Sequence, residues 1–261
     1  MTKENYNIRP ILKEDVVKVV SLVTSSFEMD YLIPSIYRGK GIVKFISNEL
    51  DNTFSPYRYF VLCYENKIAG YIEYKIFEST STAFLNIIAV NNDYKKKGIG
   101  RKLFEYSRNF FLERGFNSIQ LDVYKSNTIA LNWYLSLGFE QKSSNSLYKI
   151  ELEAKNQKPN KINIQNYPQY LELQKIFGFY FLDLTIENEK SRVGTIENDL
   201  IVRGIYTQSL REQLSYFLEV LKFENIYFIG SNCEFKECIF IDKTFSKEFS
   251  ISKAKDLKGA M

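Results

Sequence analysis

Tyr94-Lys95-Lys96-Lys97-Gly98-Ile99-Gly100-Arg101 joins an apolar, strand-like run to an amphipathic segment. A helix is predicted after this turn because Ile99, Leu103, Tyr106 and Phe110 form one apolar stripe. Two glycines let the backbone turn tightly and let a ligand approach the amide groups. Free N–H groups and the helix dipole at such a helix start favour an anion. The turn predicts either a cradle for a phosphate-bearing cofactor or an ordinary strand-to-helix turn beside a basic patch.

The composition indicates a globular protein of one large domain or two small ones. The chain has 261 residues, and its hydrophobic content of 45% is ample for packed cores. Its net charge of +4 is mild, so we expect no nucleic-acid partner. No apolar run approaches the roughly 20 residues that span a bilayer, and the N-terminus lacks the layout of a signal peptide. We expect a cytoplasmic protein with no membrane association.

The absence of histidine restricts the chemistry that the chain can perform. It excludes histidine general bases, Ser-His and Cys-His nucleophile pairs, and histidine metal sites. The three cysteines, Cys63, Cys233 and Cys238, have no metal-like spacing. We expect all three to be reduced and no metal to be bound.

The first 153 residues alternate between strand and helix patterns. Strand 118–124, helix 128–137 and strand 147–152 follow one another, and this succession predicts a parallel strand pair joined by a crossover helix. Residues 28–57 are irregular, apart from a short helix near 43–50. The other predicted helices are 16–23, 99–115 and 128–137, and the predicted strands are 6–11, 59–64, 68–77, 83–90, 118–124 and 147–152.

The remainder of the chain resembles a loose repeat of the first part. Residues 154–161 are polar, contain a proline and interrupt all periodicity, so they are predicted to be a linker between domain 1–153 and domain 162–261. The order of landmarks after the linker matches the order before it, which favours a smaller α/β domain that is a degenerate copy. Residues 204–209 lack a glycine pair, so the copy is not expected to bind phosphates. The tail 253–261 is expected to be frayed.

Two motifs in the right order and at the expected separation identify a family. The chain resembles the GNAT superfamily of acetyl-CoA-dependent N-acetyltransferases over roughly residues 5–153. The family usually has Arg or Gln where this chain has Lys95, a modest departure because backbone amides make most pyrophosphate contacts. The residues that carry the resemblance are 88–101, Leu121-Asp122-Val123, Asn127, Ala130, Trp133-Tyr134 and Gly138-Phe139.

The resemblance implies an α/β fold with a mixed, mostly antiparallel sheet flanked by helices. The sheet is expected to splay between strands 85–90 and 118–124, with acetyl-CoA in the gap. Backbone groups of Ile88-Ala89-Val90 would pair with the pantetheine arm as another strand would. Asn127 would contact the same arm and also cap the next helix. The residues implied to hold the pyrophosphate are Lys95, Lys96, Lys97, Gly98, Ile99, Gly100 and Arg101.

The implied reaction transfers an acetyl group to a primary amine of a small molecule, peptide or protein N-terminus. Tyr134 stands where the family's tyrosine protonates the departing thiolate, although it could instead be a packed aromatic residue like Trp133. Asn86 holds the position where the family often has an acid, and could position a water. Glu73 is then either the general base or a surface carboxylate, and Asp122 is a weaker candidate.

Two questions stay open at the level of the sequence. Because Asn86 replaces an acid, the chain could be an acyl-CoA-binding module without catalysis, and acyl groups other than acetyl are a further alternative. The acceptor is not identified, because Glu28, Asp30, Tyr31 and Tyr37 either bind a cation or decorate a loop. The C-terminal domain would complete the acceptor pocket or form a homodimer.

Overall fold

A computed structural model describes residues 6–153, 162–186 and 189–251. The helices are α1 (Val16–Ser26), α2 (Ile42–Asp51), α3 (Ile99–Glu113), α4 (Thr128–Ser136), α5 (Tyr167–Phe177) and α6 (Gln208–Val220). The strands are β1 (Tyr6–Pro10), β2 (Tyr57–Tyr64), β3 (Lys67–Phe77), β4 (Thr82–Val90), β5 (Ser118–Tyr124), β6 (Glu140–Ile150), β7 (Ile162–Ile164), β8 (Phe179–Ile186), β9 (Glu189–Ile196), β10 (Asp199–Arg203), β11 (Asn225–Gly230) and β12 (Cys238–Ser250).

All twelve strands form one continuous sheet in the order β1-β2-β3-β4-β5-β12-β6-β11-β10-β9-β8-β7. The order is symmetric about its centre, because β1 to β5 run inward from one edge as β7 to β11 run inward from the other. Among the described strands, β4 with β5 and β10 with β11 are the parallel pairs, and the other pairs are antiparallel. The predicted mixed, mostly antiparallel sheet flanked by helices is confirmed.

The last strand in the described part of the chain, β12, lies inside the sheet of the first half. β12 pairs with β5 from Thr244↔Tyr124 to Ser250↔Ser118, and on its other side with β6. β6 in turn pairs with β11 of the second half. The two halves therefore share their central strands, β12 and β6. The predicted linker 154–161 and the tail 253–261 lie outside the described residues, and the boundary between two domains stays a prediction.

Successive residues along a strand point to opposite faces of the sheet, so each strand contributes side chains to two cores. On one face, Ile72 and Tyr74 pack in a core that includes Leu103 and Phe111 of α3. On the other face, Tyr71 belongs to a core that includes residues of α1, α2 and strands from both halves. A third core surrounds α6. α3 therefore covers one face of the first half, and α1 with α2 covers the other.

Several local predictions are confirmed by the structure, and two are wrong. The predicted strands 59–64 and 68–77, the helix after the glycine turn and the short helix near 43–50 are all present. The predicted pairing of strand 118–124 with strand 147–152 is wrong, because β12 lies between β5 and β6 in the sheet. The prediction that all cysteines are reduced is wrong for Cys233 and Cys238, which form a disulfide with their Cα atoms 6.2 Å apart. The chain between them turns back before β12, and this turn brings the two thiols together. Cys63 is free and buried.

Within the described ranges, no helix is both long enough and apolar enough to cross a membrane. The same residues contain no group of three or more cysteine and carboxylate side chains placed to hold a metal ion.

Candidate active site

The parallel strands β4 and β5 separate soon after they begin. Their pairing covers Thr82–Phe84 against Ser118–Gln120 and ends there. Beyond that point β4 stays paired with β3, while β5 stays paired with β12. A gap therefore opens between residues 85–90 and 121–124, so the predicted splay is present. Ile88, Ala89 and Val90 lie along the β4 side of this gap.

The glycine turn follows directly after Val90, the last residue of β4. Asn91 starts it by accepting a hydrogen bond from the backbone N–H of Asp93 at 3.1 Å. Lys96 and Gly98 then adopt left-handed backbone conformations, with φ of 62° and 71°. A β-carbon on Gly98 would meet no atom within 4 Å, so the surface in front of the turn is open. A left-handed residue in such an open place suits glycine, as the sequence predicts.

Helix α3 begins at this turn with its first amides unused inside the helix. The N–H of Lys102 makes the first intrahelical bond, to the carbonyl of Gly98 at 3.0 Å. The preceding amides of Ile99, Gly100 and Arg101 lie before this bond and have no intrahelical acceptor. Because the dipole of a helix of 15 residues also favours negative charge here, the turn fits a pyrophosphate.

Basic side chains surround the turn without filling it. Lys95, Lys96, Lys97 and Arg101 are all exposed. The Lys97 ammonium lies 5.0 Å from the ring centre of Tyr94. These four cations are free to move toward an anion at the turn, which a lysine fixed in a buried ion pair is not.

Helix α4 closes the gap on the α3 side of the sheet. Asn127 caps α4, because its side-chain oxygen accepts from the N–H of Ala130 at 3.1 Å, as predicted. A β-carbon on Gly100 would lie 3.3 Å from the Trp133 ring and 3.8 Å from Ile88. The first turn of α3, helix α4 and strand β4 therefore converge, and Gly100 permits their close approach.

Tyr134 is buried on the same face, with only 7% of its surface exposed. Its ring contacts Trp133 and Phe139, with ring centres 5.0 and 5.5 Å apart. Burial raises the pKa of Tyr134, so the phenol stays protonated at neutral pH. Burial also raises the pKa of Tyr74 on β3, and the nearby Tyr134 raises it further. The Tyr134 hydroxyl therefore lies near the middle of β3, beside the place where the gap opens.

Glu73 lies on the opposite face of β3 and is 2% exposed. This burial excludes the interpretation of Glu73 as a surface carboxylate. Its Oε2 accepts hydrogen bonds from the hydroxyls of Tyr37 at 2.6 Å and Tyr71 at 3.0 Å. Its Oε1 accepts from the side-chain amide of Asn86 at 2.8 Å. The structure thus brings Glu73, the predicted candidate for the base, together with Asn86, which holds the position where the family often has an acid.

The contact between Asn86 and Glu73 depends on an irregularity in the pairing of β3 with β4. Glu73 pairs with Ile87 and Tyr74 with Leu85, so Asn86 is the extra residue of a β-bulge. A bulge changes the direction of a side chain at a strand edge. Asn86 is exposed and lies where the gap opens. Asn86 therefore lies between the Oε1 atom of Glu73 and the gap.

Burial and hydrogen bonding act on Glu73 in opposite directions. Burial raises the pKa of Glu73, while the hydrogen bonds from Tyr37, Asn86 and Tyr71 lower it, and the result is a raised pKa. Tyr59 lies directly opposite Glu73 on β2, and its buried hydroxyl has no hydrogen-bond partner in the described part of the chain. The site therefore contains a carboxylate among phenols, with proton affinity above that of an exposed glutamate.

The irregular segment 28–41 covers this face of the sheet. Tyr31 packs on Tyr124 at the end of β5, with ring centres 5.3 Å apart. The Ser126 hydroxyl lies 3.2 Å from the Tyr31 hydroxyl and 2.5 Å from a carboxylate oxygen of Asp242, a residue of β12. Asp122, the weaker candidate for the base, is exposed and accepts from the Ser246 hydroxyl at 2.6 Å.

Comparison with known proteins identifies a family for one part of the chain. Residues 43–139 match the model of the acetyltransferase (GNAT) family. These residues form a GNAT acetyltransferase domain. They include α2, the gap, the glycine turn, Glu73 and Tyr134.

One curated relative is the ribosomal protein bS18-alanine N-acetyltransferase of Escherichia coli K12, 33% identical over 90 residues. The match covers 34% of this chain and 60% of that enzyme, so the chain spans about three fifths of the relative's length.

Two solved structures share the fold of nearly the whole chain. A GCN5-related N-acetyltransferase from Sphaerobacter thermophilus has a TM-score of 0.62 at 10% identity and covers 96% of this chain and 97% of its own. A proposed acetyltransferase from Pyrococcus horikoshii has a TM-score of 0.66 at 14% identity, with coverages of 96% and 91%. The arrangement of the GNAT domain with the second half is therefore a recurring fold.

Part of the surroundings of Glu73 is not predicted from the sequence. Tyr71 has a usable signal, because residues two apart on a strand share a face. For Tyr37 the sequence predicts only a loop residue that binds a cation or decorates the loop, and no local pattern joins it to a strand 36 positions away. The bulge at Asn86 was likewise invisible, since the sequence of β4 is uniformly strand-like.

Proposed function

We propose that this protein is an N-acetyltransferase that moves an acetyl group from acetyl-CoA to a primary amine. The observation that carries the proposal is the gap between β4 and β5, with the open amides of α3 at its end. The GNAT domain at 43–139 supports the same reaction. The acceptor is proposed to be a small molecule, a peptide or a protein N-terminus, and the E. coli relative makes a peptide α-amine the first to test.

We propose a separate set of residues for each part of acetyl-CoA. The amides of Ile99, Gly100 and Arg101 are proposed to bind the pyrophosphate, helped by the exposed lysines at 95–97. Backbone groups of residues 88–90 are proposed to bind the pantetheine arm along the open side of β4. Asn127 would bind the same arm with the part of its amide that is not used in capping α4.

Two side chains on opposite faces of the sheet are proposed to move the protons. When bound, acetyl-CoA supplies an activated acetyl group, and transfer breaks its C–S bond and forms an amide with the acceptor nitrogen. Glu73 accepts the proton that the acceptor ammonium must lose before its nitrogen can attack. Tyr134 donates its hydroxyl proton to the departing thiolate and regains a proton from the acceptor nitrogen as the amide forms, and Asn86 holds Glu73 in place. The two roles need an ionised carboxylate at Glu73 and a protonated phenol at Tyr134.

Replacement of the two groups tests the mechanism. We expect Glu73→Gln and Tyr134→Phe each to lower kcat by roughly 10²- to 10⁴-fold, the range of general acid and base catalysis. Acetyl-CoA affinity, measured by calorimetry, should stay within about threefold of wild type because neither side chain lies at the pyrophosphate turn. An unchanged kcat in either variant contradicts the role of that residue.

Asp122→Asn is the matched control for the base. Asp122 is an exposed carboxylate bonded to Ser246, and its removal should leave kcat nearly unchanged. A large loss in Asp122→Asn with little effect of Glu73→Gln would transfer the role of base to Asp122.

The rate should also depend on pH in a defined direction. Because the pKa of Glu73 is raised and the base acts in its ionised form, kcat/KM should fall as the pH is lowered through that raised pKa. An exposed glutamate would give this fall nearer pH 4.5. Glu73→Gln should remove the acidic fall from the residual activity, as a pH profile with a non-titrating acceptor would show.

The rival interpretation is an acyl-CoA-binding module without catalysis. Its motivation is the absence of an acid at Asn86, yet Asn86 is bonded to a buried carboxylate. Free thiol release with a panel of peptides and small amines separates the two interpretations. Binding of acetyl-CoA with no release from any amine would support the binding module.

We also propose that the second half is a degenerate copy that binds no cofactor. The symmetric strand order supports a duplication, and the full pairing of β10 with β11 leaves no gap there. A homodimer stays a prediction, which light scattering at several concentrations can test.

A further inference from the structure

Tyr37 is the closest hydrogen-bond donor to Glu73. The segment that carries Tyr37 is bonded to residues of the second half of the chain. The Arg38 guanidinium forms an ion pair with Asp199, whose carboxylate also accepts from Asn225 at 2.8 Å. The backbone N–H of Lys40 donates to Glu197 at 2.6 Å. Two residues within three positions of Tyr37 are thus bonded to carboxylates of the second half, Arg38 by its side chain and Lys40 by its backbone.

Two glycines let this segment lie directly against the second half. The N–H of Gly41 donates to the carbonyl of Phe177 at 2.9 Å. A β-carbon on Gly41 would lie 2.5 Å from the Cα of Phe177, and one on Gly39 would lie 2.8 Å from the same carbonyl. Both approaches are to backbone, which cannot move aside cheaply. Any side chain at position 41 must therefore push the segment away from α5.

Tyr37 has little freedom once its neighbours are held. Its side chain is 3% exposed and packs in the core that contains residues of α1, α2 and the second half. Its hydroxyl lies 2.8 Å from that of Tyr71 and donates to Glu73 at 2.6 Å. A movement of residues 38–41 by one ångström would lengthen this donation beyond ordinary hydrogen-bond distance.

We propose that the second half acts on the reaction from a distance, by holding Tyr37 against Glu73 through Arg38, Lys40 and Gly41. The inference rests on the proposed role of Glu73 as general base. Tyr37 is a positioning residue, and Asp199 and Glu197 act through it. The groups that face Glu73 are Tyr37 from segment 28–41, Tyr71 on its own strand, Asn86 on β4, and Tyr59 with Tyr57 on β2.

The direction of the expected change in the pKa of Glu73 follows from the hydrogen bond that Tyr37 donates to it. Donation from Tyr37 stabilises the ionised form of Glu73 and opposes the effect of burial on its pKa. Loss of a hydrogen bond to a charged group corresponds to about one pH unit or more. Release of Tyr37 should therefore move the titration of Glu73 to higher pH, and the acidic limb of kcat/KM with it.

The experiment measures the proton on Glu73 directly, by NMR of ¹³C-labelled glutamate carboxyl groups with Glu73→Gln as the assignment control. Tyr37→Phe should raise the midpoint by about one pH unit, and Asp199→Asn, Glu197→Gln and Gly41→Ala by about half a unit. Asp183→Asn is the matched control, since it breaks an ion pair with Arg192 on the surface of the second half. Asp183→Asn should leave the titration midpoint of Glu73 unchanged.

The outcomes separate this proposal from the proposed function. If Tyr37→Phe shifts the midpoint but the folded second-half variants do not, the second half plays no part and the inference is wrong. If an Asp199→Asn chain does not fold, Glu197→Gln and Gly41→Ala decide. The NMR titration is valid whether or not Glu73 is the base, whereas full kcat in Glu73→Gln would overturn the base assignment alone.

Discussion

The two parallel strand pairs occupy equivalent places in a symmetric sheet, and they differ where a cofactor would bind. β4 leaves β5 after three residue pairs, while β10 follows β11 for all five, from Asp199↔Asn225 to Arg203↔Ile229. A continuous ladder satisfies its own backbone groups and leaves none for an extended ligand. The difference teaches that the sheet order alone does not make a binding site, because the site depends on where pairing stops.

The helices that connect the two strand pairs, α3 and α6, also differ in whether their first amides are capped. α3 begins after Gly98, which has no side chain to satisfy the first amides. α6 begins after Thr207, whose hydroxyl accepts from the N–H of Leu210 at 3.2 Å. A capped start uses one of the free amides that an anion would need. The first half keeps its helix start open to a ligand, and the second half uses its own for stability.

Two glutamates, one from each half, show a third contrast. Glu73 of Gly70-Tyr71-Ile72-Glu73 lies inside β3, whereas Glu197 of Gly194-Thr195-Ile196-Glu197 directly follows the end of β9. Glu73 is buried among phenols, whereas Glu197 accepts from the backbone of Lys40. Glu73 is the proposed base, and Glu197 bonds the segment that carries Tyr37, a neighbour of Glu73.

The largest expected effect tests whether the halves are separate at all. Phe249 of β12 packs on Phe104 and Phe139 of the first half, with ring centres 5.6 and 5.5 Å away. Phe249→Ala should cost about 3–5 kcal/mol of unfolding free energy and lower Tm by roughly 10 °C. Because β12 and β6 are shared, calorimetry should show one unfolding transition. Two transitions, with only the first half displaced, would mean that the halves unfold independently.

Phe181→Ala is the control for this change. Phe181 lies on β8 and is 48% exposed, so its loss should alter stability by no more than about 0.5 kcal/mol.

The second prediction uses a matched pair of glycines. Gly98 and Gly204 both have positive φ, at 71° and 111°, and a β-carbon on either would meet nothing within 4 Å. Alanine at each should cost about 1 kcal/mol of stability. Only Gly98→Ala should weaken acetyl-CoA binding, by roughly tenfold, since only that turn faces the proposed pyrophosphate site. Calorimetric titration should give one site per chain. Equal weakening of acetyl-CoA binding by both variants would mean that the two glycine positions do not differ in their relation to the cofactor site.

The third prediction concerns the capped helix. Thr207→Ala removes the side-chain cap of α6 and should cost about 1 kcal/mol, which chemical denaturation can measure. The affinity for acetyl-CoA should not change. A second binding event in this variant would show that the cap alone keeps the second half from binding a cofactor.

The smallest effect is a gain in stability. Glu73 holds its proton more tightly in the folded chain than in the unfolded one, because its folded pKa is raised. Its contribution to stability is therefore lost as pH rises from about 4.5 through that raised pKa. Glu73→Gln lacks this loss and should be slightly more stable than wild type at pH 8, while the two should converge near pH 4. A less stable variant at pH 8 would mean that the three hydrogen bonds outweigh burial.

Much of the first half could be predicted from sequence because its signals are local. The turn at 65–66, the cap at Asn127 and the glycine turn each depend on a few neighbouring residues. The pairing of β12 with β5 has no such signal, since Ser246 bonds Asp122 across 124 positions. The same holds for Tyr37 beside Glu73 and for Arg38 beside Asp199, which tertiary packing alone brings together.

The shared central strands have a consequence for synthesis of the chain. When the GNAT domain has left the ribosome, the side of β5 that will pair with β12 is still an open strand edge, because β12 is made after every other strand in the described part of the chain. β5, the second wall of the proposed cofactor gap, is supported on its outer side only when residues 244–250 pair with it. Nascent chains should therefore acquire affinity for acetyl-CoA late and abruptly, and a ribosome that stops before β12 would release a protein with an exposed edge and no working site.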